Sequence, residues 1–130
     1  MQENVKSVIE ECTRGSDEER MSFPEVVSKL MSVGVERYHA DLVRREKTYY
    51  LGNGDSLVVE VKARHGQPAA SFSAAQTEAA VRASQARQIG YNEFCERVTA
   101  AGCASYIVSL VGRRVVYFGR SAESHVELMP

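Results

Sequence analysis

Apolar residues recur along this chain with two different periods, and the two periods alternate twice. Val5, Val8, Ile9 and Cys12 stand at i, i+3, i+4 and i+7, a spacing that gathers side chains on one face of a helix. RGSDEERM (14–21) then reads as a polar connection closed by Gly15. SFPE follows, with Ser22 placed as N-cap, Pro24 in the first turn and Glu25 completing a capping box. Val26, Val27, Leu30, Met31 and Val33 give this second helix its apolar side, and Gly34 supplies a left-handed C-terminal cap. Further on, SAAQTEAAVRASQARQ (73–88) opens on Ser73 and is rich in strong helix formers, its alanines allowing close approach. GYNEFCERVTAAG (90–102) is the next helix and again ends on a glycine.

After each of those glycines the period changes to two. VERYHADLV (35–43) and CASYIVSLV (103–111) read as strands that turn at a short basic tip into KTYYL (47–51) and VVYFG (115–119). SLVVEVKA (56–63) adds a third strand to the first half, and SHVELM (124–129) is its shorter counterpart. ARHGQPAASF (63–72), with Gly66 and Pro68, is the expected link between the halves.

The halves also match residue by residue. Laid over 91–124 at a constant offset of 68, residues 23–56 are identical at eight of 34 positions, among them Glu25/Glu93, Gly34/Gly102, Tyr38/Tyr106, Arg45/Arg113 and Tyr49/Tyr117. Pairs such as Phe23/Tyr91, Lys29/Arg97 and Tyr50/Phe118 keep their physical character. The expectation is one domain, 1–130, built from two repeats (about 1–64 and 69–130). The fold class is α+β: a duplicated helix-helix-strand-strand-strand unit with helices packed on one face of a mostly antiparallel sheet. A half this small could hardly bury a core alone, so both halves are expected to share one sheet.

Strand alternation then sorts the polar residues. Tyr106, Val108 and Leu110 share one uniformly apolar side, so Tyr38, Ala40 and Leu42 should face the helices. Arg37, His39 and Asp41 point the other way. With a turn at Arg44-Arg45, antiparallel pairing would set His39 beside Tyr50 and Asp41 beside Thr48, all on the outer face. The equivalent outer positions of the second half, including Ile107 and Phe118, are largely apolar. Such a face suits a contact surface, a homodimer interface or a groove for a small ligand of unknown identity. The candidate ligand-binding set is therefore Arg37, His39, Asp41, Thr48, Tyr50, Ile107 and Phe118. Acid–base catalysis by His39, Asp41 and Tyr50 is the alternative. A second alternative is an anion site at the hairpin tips, where Arg44, Arg45, Arg113 and Arg114 could grip phosphate or a nucleic-acid backbone if symmetry brings the tips to related edges.

Composition narrows the field. A formal net charge of −1 argues against bulk attraction to nucleic acid, and no apolar run is long enough to span a bilayer. Three cysteines without a C-x-x-C suit a reducing cytoplasm and read as small core hydrophobes; neither metal nor cofactor is expected. His65 and His125 stand alone and read as surface histidines.

SFPEVVSKLMSVGVERYHADLVRREKTYY (22–50) and GYNEFCERVTAAGCASYIVSLVGRRVVYFGR (90–120) resemble the YbcV-like family of uncharacterised bacterial proteins over nearly the whole chain. The match runs to SHVELMP, with Met129 where the family carries an aromatic residue. Some members are labelled "phage envelope protein", yet nothing here resembles a membrane or coat element. The resemblance implies a single α+β domain and offers no activity or catalytic residues to carry over. The reading is thus a small cytoplasmic binding or self-associating module, with no enzyme activity assigned.

Overall fold

The computed structural model describes residues 1–62 and 65–129. Its elements run α1 (Glu3–Asp17), α2 (Phe23–Ser32), β1 (Val35–Asp41), β2 (Glu46–Leu51), β3 (Ser56–Glu60), α3 (Ala74–Gln85), α4 (Tyr91–Ala100), β4 (Cys103–Ser109), β5 (Arg114–Gly119) and β6 (Ser124–Leu128). All six strands form one antiparallel sheet in the order β3-β2-β1-β4-β5-β6, and the helices pack against one side of it. This is the expected α+β architecture.

Apart from the start of α1, every element boundary recurs 68 residues later, as Phe23 and Tyr91 do. The ladders repeat too: His39↔Thr48 becomes Ile107↔Val116, and Thr48↔Val58 becomes Val116↔Val126. Left-handed residues also fall in pairs: Glu19/Arg87, Gly34/Gly102, Arg45/Arg113 and Gly54/Ala122. β1 and β4 pair with each other at the centre, from Arg37↔Ser109 to Asp41↔Ser105.

Local chemistry explains the element ends. Ser22 Oγ accepts the Glu25 amide while the Glu25 carboxylate accepts the Ser22 amide, so two helix-end donors are satisfied reciprocally. Gly34 (φ 88°) and Gly102 (φ 92°) turn the chain from helix to strand in a conformation that penalises any Cβ. One expectation fails here. Gly15 does not close the first helix, which continues to Asp17 before reversing at a left-handed Glu19. Its lack of a side chain serves packing instead, since a Cβ there would stand 2.4 Å from Met21 Sδ.

The inner side chains of the sheet, including Tyr38, Ala40, Tyr49, Tyr106, Val108 and Tyr117, meet Ile9, Leu30, Val81, Phe94 and Val98 from the helices. Each of the larger buried aliphatic side chains contributes roughly 1.5–3 kcal/mol. Cys12, Cys95 and Cys103 are free thiols inside this core, and burial pushes Cys95 up to about 11 and Cys103 up to about 12. They pack as small hydrophobes. Of the expected inter-repeat link, residues 63 and 64 lie outside the described residues.

Candidate functional site

Among the described residues no helix lies on the far face of the sheet, and three rows of side chains cross it. The middle row reads Val58, Thr48, His39, Ile107, Val116, Val126 from β3 to β6. One flanking row is Glu60, Glu46, Asp41, Ser105, Phe118, Ser124; the other is Ser56, Tyr50, Arg37, Ser109, Arg114, Leu128. All seven residues expected at a contact surface lie on this face. Val58, Val126 and Leu128 expose 55%, 46% and 68% of their surface along it.

The pairings within the face differ from expectation. His39 sits opposite Thr48, Arg37 opposite Tyr50 and Asp41 opposite Glu46; the expected His39–Tyr50 and Asp41–Thr48 pairs do not form. The cause lies in the turn. It spans four residues, Leu42 to Arg45, with Arg45 in the left-handed region and its amide donating to the Asp41 carbonyl at 2.9 Å. A tighter tip at Arg44-Arg45 would have shifted the register by two. Asp41 is committed to this turn: Oδ1 accepts the amides of Val43 and Arg44, each at 3.0 Å. Ser109 does the same for Gly112 in the twin hairpin, at 2.8 Å. The carboxylate proposed to act with His39 is thus a turn-forming group. Arg37 lies 4.2 Å from the Tyr50 ring centroid and pairs with Glu36.

The basic tips do not converge. Leu42 bonds to Ala104 and Leu110 to Glu36, at opposite ends of the β1–β4 pair, which puts the tips about 20 Å apart at the rise of a strand. Arg44 is paired with Glu46 at 2.9 Å, Arg45 donates to the His65 carbonyl at 2.8 Å, and Arg114 reaches the Gly112 carbonyl. Arg113 follows its twin in being left-handed (φ 52°). One four-arginine clamp is therefore not assembled.

Pattern reading missed a second group of residues, on the helix side of β2. Lys47 occupies an inward position beside Tyr49 and is only 3% exposed. Its Nζ lies 4.6 Å from the Tyr91 ring centroid and 5.7 Å from that of Tyr38. No carboxylate among the described residues pairs with it, and burial lowers its proton affinity below the usual lysine value. Lys47, Arg45, His65, Tyr91 and Cys95 border one pocket with about 10 Å³ of room, the space of a single water molecule. His65 is 4% exposed, so it is not the surface histidine expected. Nδ1 faces the Gly66 carbonyl at 3.0 Å while Nε2 is buried without a partner among the described residues. Asp17 Oδ1 is likewise unmatched, and its charge reaches Lys47. The available signal was parity: a lysine stood where alternation demanded an apolar residue.

His125 also departs from expectation. It is partly buried, with Nε2 2.6 Å from Glu127 Oε2. Glu78, His125 and Glu127 bring donor atoms within 4.8 Å of one another, a set able to hold a metal ion. Arg82 already spans both carboxylates, at 2.9 Å to Glu127 and 3.4 Å to Glu78, so one of the cluster's two negative charges is countered from within.

Residues 11–126 match the family model described as "Protein of unknown function (DUF1398)", and the chain belongs to that family. No curated protein matches it. No helix among the described residues is long and apolar enough to cross a membrane.

Proposed function

We propose that this chain is a single domain made of two repeats that works by binding, and that the occupant of its open sheet face is a second copy of itself. The observation that carries this is the composition of the middle row, where Val58, Ile107, Val116 and Val126 line up across the uncovered side of the sheet. The charges support a copy as the partner. Asp41, Glu46 and Glu60 occupy one flanking row, whereas Arg37 and Arg114 occupy the other. A two-fold axis along the middle row keeps each strand over its own copy, so it lays Asp41 over the partner's Arg37 and lays Val58, Ile107, Val116 and Val126 over themselves, with Thr48 and His39 between them. Six strands about 4.8 Å apart and five residues long present roughly 500 Å² per copy, about 1,000 Å² in total, at the lower limit of specific interfaces. The dimer is accordingly one that dissociates on dilution.

Sedimentation equilibrium over a dilution series tests this with the wild type, Ile107→Glu and the exposed-position control Glu3→Gln. Wild type and control should approach twice the 14.4 kDa chain mass as concentration rises, and Ile107→Glu should stay at the monomer mass. A wild type that remains monomeric throughout removes the reading. The likeness to YbcV-like proteins and the cytoplasmic setting are compatible with it and add no activity. Acid–base catalysis by His39 is less well supported, because the Asp41 carboxylate is occupied by turn amides.

A further inference from the structure

We infer that Glu78, His125 and Glu127 form a binding site for one divalent transition-metal ion of the zinc type, at the edge of the sheet where β6 meets α3. The inference is independent of self-association, since His125 and Glu127 point to the helix side of β6, whereas Ser124, Val126 and Leu128 point to the open face.

Three observations carry it. First, the fold itself does not ask for these side chains. The first half keeps the helix pair as Glu10 and Arg14, 68 positions before Glu78 and Arg82, but has Leu57 and Val59 where β6 has His125 and Glu127. Both aliphatic side chains pack against the core, so an imidazole and a buried carboxylate stand where hydrocarbon satisfies the packing. Second, the donor atoms converge from two elements. One donor atom from each of the three residues lies within 4.8 Å of the others, and His125 Nε2 is 2.6 Å from Glu127 Oε2. Alternation puts His125 and Glu127 on one side of β6, and α3, packed against that strand, brings Glu78 to them. Third, Arg82 orients the set without filling it. Its Nη1 donates to Glu127 Oε1 at 2.9 Å, which leaves Oε2 to face the imidazole. Two carboxylates and one guanidinium leave a net negative charge beside a neutral imidazole, and a dication answers it.

The donors select the ion. One imidazole nitrogen with two carboxylate oxygens suits zinc and its neighbours in the first transition row, whereas magnesium and calcium prefer oxygen alone and soft ions prefer sulfur. The ion takes the place of the proton between Nε2 and Oε2, and the ring proton then resides on Nδ1, with no change of oxidation state. Two ligands on a tetrahedral ion with bonds of about 2.0–2.1 Å stand about 3.3 Å apart, so the His125–Glu127 pair opens by about 0.7 Å. Glu78 is half-exposed, so its carboxylate closes on the ion from the solvent side, and water takes the fourth position.

The test follows the rings of His39, His65 and His125 by proton–nitrogen NMR in the full chain as zinc chloride is added, each ring assigned by through-bond correlation to its own backbone. At one equivalent the His125 signals should move while those of His39 and His65 stay in place, and magnesium chloride should move none of them. Calorimetry should give one zinc per chain. His125→Leu and Glu127→Val, which install the side chains of the first half, should each weaken zinc binding at least about 100-fold, beyond the 10–100-fold cost of an outer-shell change. Glu10→Gln should leave it unchanged, and circular dichroism checks that each variant is folded. Zinc that moves His39 or His65 in place of His125, or that binds His125→Leu as tightly as the wild type, overturns the inference, because it is then an adventitious ion only. So does a His125 ring that zinc leaves unmoved, since the cluster is then an ion pair of the scaffold; that readout uses the wild type alone and holds even where a variant unfolds.

Discussion

The first and second halves of this molecule agree in backbone almost residue for residue and disagree in what they place on it. On the inner face, Lys47 of β2 corresponds to Val115 of β5, and Thr13, hydrogen-bonded to Tyr49 at 2.8 Å, corresponds to Val81. At the sheet edge, His125 and Glu127 of β6 correspond to Leu57 and Val59. On the open face, His39 and Thr48 correspond to Ile107 and Val116. Even the helix starts are served differently. α2 is capped by its own Ser22, whereas α4 follows Gly90, which has no side chain to cap it, and its Asn92 amide is taken by Glu19 from the other half, at 3.2 Å. Turn geometry and core volume are what the fold requires twice. Polar groups need appear only once, and the positions where the halves part company are therefore the ones to search for function.

The sharpest way to break this comparison is to make the halves alike in the wrong direction. Val115→Lys places an ammonium beneath the helices where a buried valine stands opposite a Glu127 carboxylate that Arg82 and His125 already engage, and the overpacking and burial should cost about 1–3 kcal/mol in urea unfolding. A loss below 1 kcal/mol would mean that both sites accept lysine and that the asymmetry has no chemical content. Next in size is the glycine pair. Gly34→Ala meets nothing within 4 Å and carries only the strain of its positive φ, about 1–2 kcal/mol. Gly102→Ala bears the same strain and also brings a Cβ to 2.1 Å from the Ser71 carbonyl. It should be the more damaging of the two by thermal melting, and equal losses would show that the segment before α3 yields freely. The smallest effect is expected from Lys47→Met, which removes a buried unpaired amine for an apolar side chain of similar length and should leave stability unchanged or raise it by about 1 kcal/mol.

That last difference has a definite pH dependence. The folded state lowers the proton affinity of Lys47, so the unfolded chain binds the proton more tightly. The resulting penalty on the folded wild type is complete at low pH and is relieved as pH rises from the folded value toward the ordinary 10.5. The advantage of Lys47→Met should therefore shrink over that interval. The buried tyrosines act oppositely: burial raises Tyr38, Tyr49, Tyr91, Tyr106 and Tyr117 above 10.0, so their stabilisation is lost as pH climbs past that value. Only the difference between variant and wild type isolates the lysine.

Much of the scaffold was legible because it depends on local rules. Period 3.6 and period 2 located the helices and strands, Ser22 with Glu25 marked a helix start, and Gly34 and Gly102 marked the passages into strand. The side of the sheet that each residue of β1 faces was also readable, since alternation leaves no freedom there. What escaped was whatever depends on contacts distant in sequence. The hairpin register turned on whether the tip held two residues or four, which Asp41 decides through its side chain. Gly15 resembled a helix end because its partner, Met21, lies beyond the reversal. His65 looked exposed because nothing in its flanks says that Arg45, 20 residues earlier, holds its carbonyl. Lys47 was visible as a parity violation, but the pocket that gives it meaning is bordered by residues from the β1–β2 hairpin, residues 61 and 65, and α4.

The claim that chemistry sits where the two halves differ is tested most directly at the Lys47 amine itself. Lysine-selective nitrogen-15 NMR, followed from neutral to alkaline pH with Lys47→Met to assign the signal, reads the protonation of Nζ in the intact fold. The account predicts that Lys47 loses its proton below the ordinary 10.5, because burial disfavours its charge. A Lys47 that stays charged to 10.5 or beyond would reveal a stable ion pair, and the pocket would then be part of the scaffold, no different in kind from the valine at 115.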